Sequence, residues 1–131
     1  MFQWRISVRH LLYTILLALT GCGGPSPLYR NMAANLGIAQ PSVPVPGNTL
    51  ASKDLQQDVA NILAVREGVA NEACKTYAIK NTDILEPPHG LELKWKELWT
   101  VDRCGTSVTW HVEFTPDPQG GTNFGTRRAT Q

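Results

Sequence analysis

Few residues in this sequence combine a reactive type with neighbours that would let it react. His111 and Glu113 stand two positions apart in Thr109-Trp110-His111-Val112-Glu113. On an extended strand that spacing puts both side chains on one face, a base beside a carboxylate. Without a nucleophile or a metal partner, such a pair is only a fragment of a catalytic site. His89 lies in Pro87-Pro88-His89-Gly90, a turn composition that leaves the ring in solvent. Gly120-Gly121 is not followed by a helical pattern whose N-terminus would bind phosphate, and Asp117 lacks the companion acids of a calcium loop. Of the cysteines, Cys22, Cys74 and Cys104, none has the C-x-x-C partner of a redox site or a histidine or cysteine at zinc-ligand spacing. The expectation is a protein that is not an enzyme and uses no metal or cofactor.

The chemistry that remains is at the beginning of the chain. Arg5, Arg9 and His10 precede the apolar run Leu11–Leu19, whose nine residues fall within the roughly 7–15 of a secretory signal. A membrane-spanning helix needs about 20 apolar residues, so the run is too short to be one. It ends in Leu19-Thr20-Gly21-Cys22, which resembles the bacterial lipobox, where small residues precede a cysteine. The resemblance implies a lipoprotein. Diacylglycerol and palmitate would be attached at Cys22, cleavage would fall before it, and acyl chains would hold the protein in the bilayer. Gly23 is not the aspartate that retains such proteins at the inner membrane, so the resemblance points to the outer membrane, facing the periplasm.

With Cys22 assigned to lipid, Cys74 and Cys104 remain. Two cysteines in an exported domain imply a disulfide, because that compartment is oxidising. The bridge would close a loop of about 30 residues, worth roughly 3–4 kcal/mol by chain entropy. Removing residues 1–21 takes Arg5 and Arg9 from the 12 basic residues and none of the 11 acidic ones, leaving 10 against 11. That balance gives no electrostatic case for nucleic acid.

The elements follow. Residues 22–49 read as a lipidated tether rich in proline and glycine, with a flexible reach on the order of 25–30 Å. Within it Tyr29, Met32 and Leu36 fall at helical spacing and form a candidate partner-binding motif that orders on contact. The folded domain is expected over residues 50–125, with a disordered tail at 126–131. Ser52 caps a helix over 52–66 that ends near Gly68, with Leu55, Val59, Ile62 and Leu63 on its apolar face and Gln56, Gln57, Asp58 and Asn61 on the other. A strand over 76–80 stops before the Pro87-Pro88 turn.

Leu91, Leu93, Trp95, Trp99 and Val101 alternate with polar residues, as do Val108, Trp110, Val112 and Phe114. A loop centred on Cys104-Gly105 pairs residues whose numbers sum to 209, so Trp99 meets Trp110, Trp95 meets Phe114 and Lys96 meets Glu113. A slip of one residue would destroy every match. Glu97 then falls on the apolar face, either reaching water at a bulge or an edge, or partly buried and paired with Arg127 or Arg128 or waiting for a ligand. A short edge strand over 122–125 turns Phe124 inward.

The expected fold class is α+β: one N-terminal amphipathic helix packed on a three- to four-stranded antiparallel meander, a small two-layer domain. The run of Trp99, Cys104-Gly105, Val112, Phe114 and Gly120-Gly121-Thr122 resembles a pattern of small exported bacterial proteins and implies the domain boundary only. The expected function is a membrane-anchored envelope lipoprotein acting as a protein-binding or assembly module on an envelope protein partner. The alternative is a periplasmic inhibitor or immunity protein directed at a hydrolase.

Overall fold

A computed structural model describes residues 27–130. The signal, the lipobox resemblance and Cys22 lie outside the described residues. Two helices, α1 (Pro27–Asn35) and α2 (Lys53–Ala70), precede β1 (Tyr77–His89), β2 (Lys94–Arg103), β3 (Thr106–Pro116) and β4 (Thr122–Arg128). The strands form one antiparallel sheet in the order β1-β2-β3-β4. The architecture is α+β, with two helices rather than the one expected.

The central hairpin has the expected register. Trp95 pairs with Phe114, Lys96 with Glu113, Trp99 with Trp110 and Val101 with Val108. Arg103 pairs with Thr106, so the loop is the two residues Cys104 and Gly105, both at positive φ (47° and 87°). Positive φ at both loop positions suits the right-handed twist of a tight hairpin. Asp102 Oδ1 accepts the Gly105 N–H at 3.1 Å, and a disulfide to Cys74 holds the turn from the other side, with Cα atoms 5.9 Å apart. Trp95, Trp99, Val101, Trp110, Val112 and Phe114 line the inner face and share one core with Val59 and Leu63 of α2. Trp95 stacks on Phe114 at 4.6 Å.

Several boundaries differ from expectation. α2 continues past residue 66 to Ala70, and Gly68 lies inside it, where a Cβ would strike the Ile38 side chain. β1 runs on through Pro87 and Pro88 to His89, because an edge strand has backbone groups that need no partner. A register shift between Ile79 and Asn81 moves the inward positions from Ile79 to Thr82. That breaks the alternation by which a strand is recognised. Leu91 and Leu93 are not inward strand positions. They lie in the turn before β2 and are exposed, with Leu93 at φ 51°. β4 extends to Arg128, and Ala129 N–H still bonds Thr109 C=O at 2.9 Å, so residues 126–128 of the expected disordered tail are strand.

The largest correction concerns the tether. α1 ends in a capped turn: Gly37 at φ 67° donates to Ala34 C=O, and Ile38 donates to Ala33 C=O at 2.9 Å. Ala33, Ile38 and Val45 then join the core. The side chains expected to face solvent on α2 grip this segment's backbone instead. Gln56 accepts from Val45 N–H at 3.0 Å and donates to Ala51 C=O at 2.7 Å, and Gln57 donates to Pro41 C=O at 3.2 Å. A proline-rich stretch has few ladder donors of its own, so amide side chains take the place of a partner strand.

Candidate functional site

Two fully buried carboxylates stand out on the inner face. Alternation along β2 turns Glu97 inward between Trp95 and Trp99, and it is 0% exposed. Its Oε1 accepts from Trp95 Nε1 (2.9 Å) and Leu50 N–H (2.8 Å), and its Oε2 from Trp99 Nε1 and Thr49 Oγ1 (both 2.8 Å). Four donors meet two acceptor oxygens, so the carboxylate has no capacity left for a ligand. None of the expected readings of Glu97 holds, the waiting ligand site included. It does not reach water at a bulge, and Arg127 and Arg128 are not its partners. Its place is structural, fixing residues 49 and 50 to the sheet.

Glu67 extends the Val59, Leu63 face of α2 by one more turn and is also 0% exposed. It accepts from Trp110 Nε1 at 2.9 Å and from Arg103 Nη1 at 3.1 Å, with Arg128 Nε at 3.8 Å. Arg66, one residue earlier, lies over the Trp110 ring at 5.7 Å. Tyr77 packs beside this group and donates its hydroxyl to Cys74 C=O at 2.7 Å. Burial, and then the Glu67 charge, raise the Tyr77 pKa above the ordinary tyrosine value, with the Arg103 charge opposing. The cluster pins α2 to β2, β3 and β4 and supports the strand that enters from the disulfide.

The outer face is open and polar. A cleft of ≈ 430 Å³ lies over β3 and β4, lined by Lys96, His111, Glu113, Asn123 and Arg127 among others. Gly125 sits opposite Glu113 and contributes no side chain, which leaves the hollow. His111 is placed beside Leu98 and Arg127, and Lys96 bonds Glu86 at 3.0 Å rather than Glu113 across the ladder. Among the described residues no group of three or more His, Cys, Asp and Glu converges as metal ligands would.

The sequence-derived sites separate. Cys74 and Cys104 form the disulfide. Tyr29, Met32 and Leu36 do not form one free face: Tyr29 is half-buried, Met32 is 40% exposed, and Leu36 packs against the core. Sequence reasoning missed Glu67, Arg103 and Thr49, and it offered Arg128 to Glu97 rather than to Glu67. The signal for Glu67 was present, an acid four residues beyond Leu63 on an apolar stripe. Comparison with family models, curated proteins and solved structures gave no match to this chain.

Proposed function

We propose that the chain is an exported, lipid-anchored envelope protein whose small domain serves as a protein-binding or assembly module, most simply at the outer membrane and facing the periplasm. The observation that supports this reading is the Cys74–Cys104 bond. It consumes both cysteines of the folded domain, as an oxidising compartment favours, and leaves Cys22 alone at the end of the apolar stretch. The chemistry described above is that of a scaffold, with its inner carboxylates bonded to buried donors and its outer face uncovered among the described residues.

The test is export of the wild type and of Cys22→Ser in a bacterial host. The wild type should fractionate with membranes and carry acyl mass on its first residue. Cys22→Ser should remain unprocessed or appear as soluble protein. A soluble wild type without lipid would overturn the anchor. A second reading, an inhibitor or immunity protein for a hydrolase, is favoured by the β1–β2 tip. There Leu91 and Leu93 are 104% and 57% exposed on a projecting turn, a shape suited to entering a cleft. Crosslinking in the native envelope separates the two. A single stable enzyme-sized partner supports the inhibitor, and a multi-protein membrane complex supports the assembly module.

A further inference from the structure

The two edges of the sheet are built differently. β1 is guarded along its length. Its register shifts three times, between Ile79 and Asn81, Ile84 and Glu86, and Glu86 and His89. Pro87 and Pro88 remove donors from its far end. Midway, the segment before α2 lies on it: Asn48 N–H donates to Thr82 C=O at 2.7 Å, and Thr82 Oγ1 donates to Pro46 C=O at 2.9 Å. Gly47 is required there, because a Cβ would collide with the Thr82 backbone. Bulges, prolines and a covering strap are the devices by which natural sheets close an edge to other strands.

Among the described residues β4 has no bulge, proline or covering strap. Its seven residues pair with β3 without a register shift, from Thr122 opposite Pro116 to Arg128 opposite Trp110. The Ala129-to-Thr109 bond fixes which backbone groups point where. Since they alternate along an antiparallel ladder, residues 123, 125 and 127 also face β3, and Phe124, Thr126 and Arg128 turn their N–H and C=O groups outward. An independent contact agrees. Arg66 reaches from α2 to donate Nη1 to the Thr126 carbonyl at 3.2 Å, which that carbonyl could not accept from this side if it faced β3.

Resting on the protein-binding reading above, we propose that this edge takes an extended, acidic segment of a partner protein as a fifth strand. The outward backbone groups supply the pairing. The side chains supply the sign: β4 carries Arg127 and Arg128 and no acid, and Arg66 adds a third guanidinium at the same edge. A second copy of the chain suits the edge less, because two β4 strands side by side would bring both arginine pairs into one ribbon. An acidic strand meets that charge and offers backbone of the right shape.

The test uses the full chain, purified with its anchor in detergent, and two fluorescein-labelled heptapeptides with capped ends. One alternates valine and glutamate, the other valine and lysine. The glutamate peptide should saturate the protein in an anisotropy titration, with affinity falling about tenfold from low to high salt. Thr126→Pro removes an outward N–H and no ladder bond, so binding should vanish while the thermal midpoint holds. Arg127→Glu changes only an exposed side chain and should reverse the preference to the lysine peptide, which keeps the test decisive if the proline variant fails to fold.

Equal binding of both peptides, or retained binding in Thr126→Pro, overturns the proposal. So does a dimer in sedimentation that Thr126→Pro dissolves, which would assign the edge to a second copy. A photocrosslinker at Leu91 that traps an envelope protein while one at Asn123 traps none overturns the edge and spares the protein-binding reading.

Discussion

Glu97 shows how one acidic side chain can matter as much to a fold as a large apolar one. Its carboxylate is the shared acceptor for two indoles, a hydroxyl and a backbone amide. Glu97→Ala should therefore cost about 3–5 kcal/mol, since it strands all these donors in the core. Glu97→Gln keeps the volume but sets an amide donor against donors, and should cost about 1–3 kcal/mol. Denaturant melts of the two variants check the order, and an alanine variant as stable as wild type would refute the role. Tyr77 gives a pH signature. Its pKa is raised in the fold, so the native state holds that proton while the unfolded chain loses it near the ordinary value of 10.0. Stability is then full below about pH 10 and falls as pH climbs through the folded pKa. Tyr77→Phe should flatten that alkaline decline, measured as midpoint against pH. The inward position of Glu97 was legible in the sequence from strand parity. Its partners were not, because Thr49 and Leu50 lie 48 and 47 residues away in a segment whose composition suggested no fold.

Among the elements, the hairpin was the most legible. Period-two alternation on both strands and a two-residue turn leave one register in which every large apolar side chain faces inward. Trp99, 0% exposed at its centre, should cost about 3–5 kcal/mol when cut to alanine. β1 and the helix pair were harder to read. A bulge breaks the parity of β1, and the apparent polar face of α2 is covered by the segment its glutamines hold. That segment makes a sharp prediction. Leu36→Ala, harmless if residues 22–49 were only a tether, should lower stability by about 1–3 kcal/mol, because Leu36 packs on the core. A deletion through residue 49 should prevent cooperative unfolding altogether, which circular dichroism melts would show. Reducing the disulfide frees a loop of 30 residues and should cost roughly 3–4 kcal/mol. Thiol labelling of the denatured, unreduced domain should find neither Cys74 nor Cys104 reactive.

At the scale of the molecule, one sheet face is packed by helices and the other is bare among the described residues. The bare face carries mixed charge: Asp83, Glu86 and Glu113 among Lys94, Lys96 and Arg127. Its ion pairs are exposed and screened by solvent, so they contribute little to stability. His111→Ala and Glu113→Ala should leave the midpoint within a degree or two and the biological activity intact, as about 0.5 kcal/mol or less allows. If His111→Ala abolished activity in a fully folded protein, the outer cleft would be a site in its own right.

The start of α1 at Pro27 also bounds how far the domain could stand from the proposed anchor at Cys22. Four residues lie between Cys22 and that helix, and the five steps from Cys22 to Pro27 span at most about 18 Å even when fully drawn out. If Cys22 carries the proposed acyl chains, α1 would ride close to headgroup level, with its exposed Leu28 and Met32 near the bilayer surface. The domain would then work as a fixture on the membrane floor, presenting its strands sideways to whatever passes along the surface, rather than as a float that fishes through the depth of the compartment.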